Sequence, residues 1–502
     1  MQKTLMIKLS VIGGLCLLFA IGLSLIQSLV YERQQYSDSV ISEISSQHVN
    51  PQEVITPFIA VPTTITPACK AYDSEKCPKA YQTTTPQFAK STKAEQSLAV
   101  NTDTYKRGIY HATSYQGQLN FKQQYTLINT KLPTASTETT TTTALAADAT
   151  DNSYYERGER IDYDWQDARL IIPVSDLRGV SQLPTVKING QVMTANYPAT
   201  PKMSGLSYVE VVLPSDLAQK PKLQLAIELP LIGLSAIRTV PLGQHFSLTM
   251  TSDWHAPNFI GQALPAQKSM DNQGFKATWG NQYLTVANNQ MISQCLTRPN
   301  TGCDIQANLA ALGGQNDNGI DAMRQAEIAL IEATDNAGSQ VRQPVQLNGF
   351  GVSFAEPNDV YLQTERTMKY ALLLIMVSFG TFFLFEVIKS LRIHPIQYLL
   401  VGSALLVFYV LLLPLAEQVA FWQAYVIAAT ACIGLIGWYT YYVLNSVKRA
   451  AIFTVILGGL YAGFYGILTT EDMNLLLGAI FCFVLLASVM YLTRKIDWYQ
   501  VA

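Results

Sequence analysis

The stretch from Tyr370 to Thr493 constrains this chain most, because its composition suits a lipid bilayer. Only eight of its side chains carry a formal charge. A helix rising about 1.5 Å per residue needs about 20 residues to cross about 30 Å of hydrocarbon. Five apolar runs reach or approach that length, so we predict five transmembrane helices. The runs are Tyr370–Ile388, Tyr398–Ala416, Val419–Leu444, Ala450–Thr469 and Leu475–Leu492.

The N-terminus supplies a sixth apolar run. Lys3 and Lys8 precede Leu9–Val30, which contains no charged residue. The run does not end in the small-x-small cleavage site that a secretory signal peptide carries. We therefore interpret residues 1–30 as an uncleaved signal anchor, and its removal by signal peptidase is the alternative. The predicted membrane protein has six spans, arranged as one plus five.

Basic residues in the short loops predict the orientation of these spans. Lysines and arginines precede span one and follow spans two, four and six, while the alternate loops carry acidic residues. The basic residues are Lys3, Lys8, Lys389, Arg392, Lys448, Arg449, Arg494 and Lys495. Because basic loops stay in the cytoplasm, we expect both termini there and residues 31–367 outside it. Residues 368–493 are then the five-helix bundle, and residues 494–502 a short cytoplasmic tail.

The region between spans one and two has the pattern of a β domain. Short apolar or alternating runs recur between Gly, Pro and Asn residues, which predicts sandwich-like packing. The predicted strand regions are Thr56–Thr63, Thr104–Asn129, Leu170–Val174, Thr185–Met193, Tyr208–Leu213, Leu223–Leu229, Phe246–Met250, Gly274–Trp279, Tyr283–Val286 and Val345–Phe354. Asn189-Gly190 predicts a tight hairpin turn. Residues 133–150 are Thr-rich and predict a flexible loop.

Helical patterns occur at three places in this region. Tyr31–Asn50 predicts a helical stalk that extends span one, and Gly319–Thr334 predicts an amphipathic helix. From Asp359, a candidate N-cap, the chain is expected to run helically into span two, with Glu365 and Lys369 spaced for an i, i+4 ion pair. Such a direct lead-in would couple the outer domain mechanically to the bundle.

Four of the seven cysteines lie in the region predicted to be outside the cytoplasm: Cys69, Cys77, Cys295 and Cys303. They form two pairs, each eight positions apart. Four cysteines allow three connectivities, and local closure has the lowest entropic cost. We therefore favour Cys69–Cys77 and Cys295–Cys303 disulfides, which suit an oxidising compartment. Metal binding is the alternative, but seven intervening residues are not a zinc spacing and no histidine flanks either pair.

The sequence contains few residues that could carry chemistry. Its histidines, His48, His111, His245, His255 and His394, form no metal-binding motif, and no nucleophile or phosphate-loop motif follows a strand. His394-Pro395 instead predicts the start of span three, with the proline in its first turn. A net charge of −2 and a pI of about 6.2 do not favour nucleic-acid binding. We therefore predict no catalytic, cofactor-binding or metal-binding residue, no cofactor and no enzymatic activity.

Two features of the predicted spans have competing interpretations. Glu386 is the one ionisable residue inside an apolar run, where it could be a proton or cation site of a transporter. It could instead extend to the cytoplasmic interface and pair with Lys389. Gly459 and Gly463 form a G-x-x-x-G pattern, which predicts tight helix packing rather than a pore.

Three sets of motifs resemble the CreD family of inner-membrane proteins. The first is His394-Pro-Ile-Gln-Tyr-Leu-Leu-Val-Gly402 with Phe408-Tyr409 and the Leu-rich run to Glu417, and the second is the ending Leu492-Thr-Arg-Lys-Ile-Asp-Trp-Tyr499. The third joins Thr251–Trp254, Phe259, Gly261, Leu264-Pro265, Gly274-Phe275 and Trp279. The resemblance covers the anchor, much of the second half of the outer domain and the five C-terminal spans. The cysteine pairs and the Thr-rich segment depart from it.

The resemblance implies a bacterial inner-membrane protein linked to cell-envelope integrity, colicin tolerance and a two-component regulon. It brings no catalytic residues. The first hypothesis is a non-enzymatic scaffold in the lipid bilayer that presents a periplasmic β domain to an envelope protein or a peptidoglycan-associated partner. The second is a small-molecule or lipid transporter, although the spans offer few polar groups for a midplane site. A membrane-bound sensor or enzyme is the third.

Overall fold

The chain forms two compact units in a computed structural model. The structure describes residues 2–71, 74–127, 155–199, 203–214, 222–297, 304–306, 344–354, 360–389, 394–444, 446–469 and 474–494. The first unit, Met1–Val40 with Glu356–Ala502, is helical, and the second, Ile41–Ala355, is rich in β-strands. We call them the helical unit and the β-rich unit.

Eight α-helices are described. They are α1 (Gln2–Gln47), α2 (Gln282–Thr297), α3 (Val360–Lys369), α4 (Ala371–Lys389), α5 (Pro395–Ala416), α6 (Phe421–Leu444), α7 (Val447–Thr469) and α8 (Asn474–Thr493). Helix α1 continues well beyond the predicted anchor, which agrees with the predicted stalk. Its residues up to Val40 and α3–α8 belong to the helical unit, whereas its last turns from Ile41 and the whole of α2 belong to the β-rich unit.

Several of these helices are long and apolar enough to cross a membrane. Within the described ranges four satisfy both conditions: Ser10–Gln47, Pro395–Ala416, Phe421–Leu444 and Val447–Leu468. A fifth is formed if Gln363–Lys369 and Ala371–Phe383, which are bent by 42° at their junction, are one broken span. The stretch Leu476–Ser488 of α8 is a shorter apolar helix by the same test. The predicted multi-span helical unit is thus present, and the count of six spans stays a prediction.

The predicted helical lead-in to span two is present as α3, and it is bent relative to α4 at Tyr370. Helix α3 and helix α4 meet there at the 42° bend, where the Tyr370 backbone N–H bonds to the Thr367 carbonyl, 3.3 Å away. This i→i−3 bond replaces the i→i−4 bond of a regular helix and tightens the turn. The Glu365–Lys369 ion pair is confirmed at 3.1 Å, and the candidate cap Asp359 lies outside the described residues.

Aromatic rings fill the interior of the helical unit. Phe408 contacts Tyr425 and Tyr461 edge-on, with ring centroids 5.4 and 4.8 Å away. Phe19 of α1 meets Phe379 of α4 in the same manner at 5.9 Å. Edge-to-face pairs of this kind are a favourable aromatic geometry, so interlocking rings join the packed helices.

The glycines of α7 have a smaller role in packing than their pattern predicts. A Cβ on Gly463 would lie 2.8 Å from the Phe481 ring of α8, but a Cβ on Gly459 would meet nothing within 4 Å. A G-x-x-x-G motif packs tightly only if both glycines face a neighbouring helix. The prediction therefore holds for Gly463 and is wrong for Gly459.

In the residues that the structure describes, the β-rich unit has three larger sheets and two strand pairs. Its strands are β1 (Gln52–Ile55), β2 (Phe58–Thr66), β3 (Cys69–Ala71), β4 (Tyr81–Gln87), β5 (Ser91–Arg107), β6 (Tyr110–Thr126), β7 (Tyr155–Arg157), β8 (Arg160–Tyr163), β9 (Arg169–Pro173), β10 (Thr185–Ile188), β11 (Gln191–Met193), β12 (Ala195–Asn196), β13 (Tyr208–Val212), β14 (Lys222–Leu234), β15 (Ala236–Val240), β16 (His245–Ser252), β17 (Asn258–Gly261), β18 (Gln267–Asp271), β19 (Gly274–Trp279), β20 (Asp304–Gln306), β21 (Pro344–Gln346) and β22 (Phe350–Ser353).

The sheets combine local hairpins with long-range pairings. The eight-stranded sheet has the order β11-β10-β14-β6-β5-β16-β19-β18, and the four-stranded sheet has the order β1-β15-β22-β17. The six-stranded sheet runs β12-β13-β9-β2-β4, with β8 also paired to β2. Strand pairs β1–β15 and β5–β16 are parallel. Parallel neighbours need crossover connections, so these pairings join segments far apart in the sequence.

One apolar core joins side chains from all three larger sheets. Leu229 comes from the eight-stranded sheet, Leu170 from the six-stranded sheet and Ile237 from the four-stranded sheet, and each is fully buried. The alternating burial along β14, in which every second side chain points inward, places its apolar residues in this core. The predicted mainly-β character of this region is therefore correct.

The hairpin turn predicted at Asn189-Gly190 is correct, and the strand predicted at Tyr283–Val286 is wrong. Asn189 and Gly190 have φ values of 47° and 87° and close the β10–β11 hairpin, as expected. The predicted strand Tyr283–Val286 is instead the first turn of α2. The Asn281 side chain accepts a hydrogen bond from the Leu284 N–H at 3.3 Å, which starts a helix, and Leu284 and Thr285 lie on the buried face of that helix.

Other predictions in the β-rich unit have mixed outcomes. Val345–Phe354, predicted as a strand region, contains parts of two strands, of which β21 pairs with β20 and β22 pairs with β15 and β17. Cys69 and Cys77 form a disulfide, with their Cα atoms 5.5 Å apart. Cys295 of α2 is also disulfide-bonded. Its predicted partner Cys303, the Thr-rich residues 133–150 and the predicted helix 319–334 lie outside the described residues.

Candidate functional site

Glu386 and Tyr398 form a buried hydrogen-bonded pair in the helical unit. The Tyr398 hydroxyl donates to Oε2 of Glu386 over 3.0 Å. Glu386 is 6% exposed and Tyr398 is 4% exposed. A carboxyl group in such surroundings is costly to ionise unless partners compensate it, and the tyrosine hydroxyl is one such partner.

The start of helix α5 positions Tyr398. His394 is the N-cap, and its Nδ1 accepts a hydrogen bond from the Ile396 N–H at 3.3 Å. The Gln397 side chain accepts from the His394 N–H at 3.0 Å. This reciprocal arrangement is a capping box, and Pro395 occupies the first turn, where its missing N–H costs nothing. The helix start predicted from His394-Pro395 is confirmed, and it places Tyr398 one turn into α5.

Aromatic rings surround the pair. The Tyr398 ring lies 5.8 Å from Phe379 and 5.9 Å from Phe382, measured between centroids. Phe382 in turn contacts Phe453 of α7 at 4.4 Å. The site therefore joins a carboxyl, a hydroxyl and an apolar wall contributed by three helices. Chemically, the site offers a carboxyl group that the tyrosine hydroxyl holds in place.

The burial of Glu386 bears on the two interpretations of this residue. A side chain that extends to the membrane interface would be solvent-exposed, whereas Glu386 is buried between α4 and α5. The predicted ion pair between Glu386 and Lys389 stays a prediction, because the side chain of Lys389 is not described. The sequence pointed to Glu386 as an ionisable residue in an apolar run, but nothing in the sequence pointed to Tyr398 as its partner.

A second buried polar pair lies in the β-rich unit and was missed in the sequence. Arg238 Nη1 lies 2.8 Å from Oε2 of Glu53, and the two side chains are 0% and 3% exposed. They are direct neighbours in the parallel β1–β15 pairing. Gln262 accepts hydrogen bonds from Arg238 Nη2 at 3.3 Å and from the Gly349 N–H at 2.9 Å. A charged residue within Ala236–Val240, an otherwise largely apolar segment, was the available signal.

This ion pair is suited to structure rather than chemistry. Removing one partner of a buried pair leaves an uncompensated charge, which destabilises strongly. The pair ties the four-stranded sheet to residues from two further segments, through Gln262 and Gly349. We therefore assign it a stabilising role.

Other candidate ligands have structural contacts in the β-rich unit. Gln282 Nε2 lies 3.0 Å from Nδ1 of His245, and the His255 ring packs on Trp254 at 5.5 Å. His48 packs on Tyr105 at 4.6 Å. Across the described part of the chain, no three His, Cys, Asp or Glu side chains are grouped so that they could hold a metal ion.

Comparisons with known proteins agree along nearly the whole chain. Residues 4–499 match the family described as Inner membrane protein CreD. The Inner membrane protein CreD of Escherichia coli (strain K12) is 29% identical over 503 residues, which cover 99% of this chain and 95% of that protein.

Among solved structures, a crystal structure of an M1 zinc metallopeptidase from Deinococcus radiodurans matches 39% of this chain and 40% of its own chain. Its sequence identity is 10% and its TM-score is 0.18. A TM-score this low carries no argument about fold or function.

Proposed function

Because this chain belongs to the CreD family of inner membrane proteins, we propose that it supports cell-envelope integrity as a non-enzymatic scaffold. In this proposal the β-rich unit lies in the periplasm and is presented to an envelope protein or a peptidoglycan-associated partner. Both termini are cytoplasmic, and six helices span the bilayer. Colicin tolerance would then follow from a change in the contacts between the β-rich unit and its envelope partner.

The observation that carries this proposal is a set of contacts by which Arg107 and Arg178 hold the last turns of α1 within the β-rich unit. We call these contacts the grip on α1. Arg107, at the tip of the β5–β6 hairpin, forms an ion pair with Glu43 and a hydrogen bond to Gln47 at 3.2 Å. The Arg178 guanidinium donates to the carbonyl oxygen of Ser46. That carbonyl is one of the last four of the helix, which have no partner within it. The stalk end is thus held by two arginines, as a presenting role requires.

Asp176 holds Arg178 in this position. Its Oδ2 lies 2.6 Å from Arg178 Nη2 and accepts from the Asn50 N–H at 3.0 Å. Burial tends to raise the pKa of Asp176, but the hydrogen bonds from Arg178 and from the Asn50 N–H outweigh it and lower the pKa. The hydrogen bonds between these two side chains act in the opposite direction on the partner, because donating to Asp176 raises the pKa of Arg178. Both groups are therefore charged at neutral pH, and the grip persists there.

An exposed strand offers a place for a partner. Strand β18 is at the edge of the eight-stranded sheet, and all five of its residues are exposed. Edge strands present free backbone groups to which another chain can add a strand. This supports the presentation of the β-rich unit to a protein partner.

The test is uptake of an impermeant dye by a strain that lacks the protein. The strain is complemented with the full chain, with residues 1–367, or with the full chain carrying Arg178→Ala. The scaffold proposal expects the full chain and residues 1–367 to restore the barrier and Arg178→Ala to fail at equal membrane abundance. Arg160→Ala is the matched control, because Arg160 belongs to an exposed ion pair. No leak in the deletion strain would overturn the proposal.

A small-molecule or lipid transporter is the second candidate, favoured by the burial of Glu386 against Tyr398. Glu386→Gln separates the two functions, because the amide keeps the shape of the side chain but cannot carry a proton. A scaffold should tolerate this substitution, whereas a proton-coupled transporter should fail. Glu365→Gln, at a partly exposed position of α3, controls for loss of a carboxylate. Failure of Glu386→Gln alone would favour transport.

A further inference from the structure

A small cavity lies inside the helical unit beside the bend between α3 and α4. Its walls come from five helices and carry both aromatic rings and hydroxyl groups. The lining residues are Thr367, Tyr370, Leu374, Phe408, Tyr409, Tyr425, Tyr461, Phe464 and Leu468. Most of this lining is apolar, and its polar side-chain groups are the hydroxyls of Thr367 and of the four tyrosines. A polar occupant would bond to these hydroxyls.

Three of the hydroxyl groups in the cavity wall have partners in the protein. Thr367 donates to the backbone carbonyl of Gln363 over 2.8 Å. Tyr425 donates to the backbone carbonyl of Tyr461 over 2.8 Å. The Tyr461 hydroxyl lies 3.4 Å from Sγ of Cys432, and that thiol lies 3.3 Å from the carbonyl oxygen of Ala404. The last three contacts form a short polar chain between α5, α6 and α7 that ends at the cavity.

Tyr409 differs from these neighbours. It is 2% exposed, it lines the cavity, and no described residue is a hydrogen-bond partner of its hydroxyl. A buried hydroxyl without a partner costs free energy, since it has lost its bonds to water. The cost is removed if a molecule in the cavity bonds to it.

The size of the cavity identifies the chemical class of that molecule. The space open to the centre of a water-sized molecule is about 10 Å³, close to what one water requires. An acyl chain or a drug-sized ligand would need far more room. A metal ion would need carboxylate, imidazole or thiolate ligands, and the lining contains none.

We propose that this cavity is an internal hydration site that holds one water molecule bonded to Tyr409. The water joins the Tyr409 hydroxyl to the other hydroxyls of the wall, with that of Tyr461 as its second partner. A buried water makes two to four such bonds. It gives the Tyr409 hydroxyl of α5 a link to the polar chain of Tyr461, Cys432 and Ala404, which no direct contact in the described residues supplies.

The proposal is tested by water-edited solid-state NMR on the full chain in lipid vesicles, with ¹³C at the tyrosine Cζ atoms and in the phenylalanine rings. Magnetisation should pass from water to Cζ of Tyr409 and Tyr461 faster than to the ring carbons of Phe408, which lines the same cavity without a hydroxyl. Tyr409→Phe should remove the transfer to Tyr461. Tyr465→Phe should preserve it, because Tyr465 packs on Tyr425 at 5.2 Å but does not line the cavity.

Two results would overturn the proposal. One is transfer to Tyr409 no faster than to Phe408 in the unmodified protein, which would mean a dry cavity and requires no variant to fold. The other is unchanged transfer to Tyr461 in folded Tyr409→Phe protein, which would mean that the water, if present, does not bridge the two hydroxyls.

Discussion

The ring of Phe19 on α1 packs directly against Gly402 on α5. A Cβ added at Gly402 would lie 2.2 Å from Cε2 of that ring and 2.8 Å from the Phe379 ring. Phe19 is itself buried, so the ring has little room to withdraw. The absence of a side chain at Gly402 therefore allows the N-terminal helix to approach the C-terminal helices within the helical unit.

We expect Gly402→Ala to destabilise the helical unit. Overpacking in a filled interior costs about 1–3 kcal/mol, more than the favourable helix propensity of alanine returns. Thermal unfolding of the purified protein in detergent measures the effect. Gly434→Ala is the matched control, because a Cβ there meets nothing within 4 Å, and it should be neutral or stabilising. Equal behaviour of the two variants would contradict the packing described here.

Arg238→Met should destabilise the β-rich unit severely. It leaves the Glu53 carboxylate buried without its cation, and breaking such a pair costs about 3–5 kcal/mol. Chemical unfolding of the full chain, followed by the fluorescence of Trp279 in the adjacent core, would report the loss. The double variant Arg238→Met with Glu53→Leu should recover much of it. Arg160→Ala, in an exposed pair with Asp162, should cost little.

The grip on α1 should weaken in acid. The pKa of Asp176 is lowered in the folded protein from its ordinary value of 3.8. A depressed carboxyl pKa contributes stability that is present above the unfolded value and lost as the pH falls through the folded value. We therefore expect protection of the Asn50 amide from hydrogen exchange to be constant at neutral pH and to fall only below about pH 3.8.

Asp176→Asn provides the comparison for this pH dependence. The variant should have weak protection of Asn50 at every pH, because its side chain cannot carry the charge that pairs with Arg178. Protection in the variant that still falls in acid as it does in the unmodified protein would assign the effect to other carboxyl groups.

A hydrogen bond joins helix α3 to the end of α5, and its removal should be measurable. The Tyr361 hydroxyl donates to Oε1 of Glu417 over 3.1 Å, and Glu417 is the C-cap residue of α5. Tyr361→Phe keeps the ring but removes the donor, so α3 should exchange its amide hydrogens faster. Tyr283→Phe on α2, where the ring is 80% exposed, should change nothing. Unchanged exchange in α3 would show that ring packing alone holds the helix.

Patterns of neighbouring residues in the sequence predicted several helices and a hairpin turn of this protein correctly. The apolar runs gave the helices of the helical unit, because transfer into lipid depends on the composition of one continuous segment. His394-Pro395 gave the start of α5, and Asn189-Gly190 gave a hairpin turn, because caps and turns depend on a few adjacent residues. The pattern failed at Tyr283–Val286, where four residues are too few to distinguish a strand from the first turn of a helix.

The tertiary structure decided which distant residues meet. Glu386 is conspicuous in the sequence, but its hydrogen bond to Tyr398 depends on how α4 and α5 pack. Glu53 and Arg238 are brought together by a parallel strand register across a separation of 185 residues. Gly402 has its effect only because Phe19 packs on it. Local free energies fix where a helix or strand forms, whereas burial and pairing are set by the three-dimensional packing of segments that the sequence keeps apart.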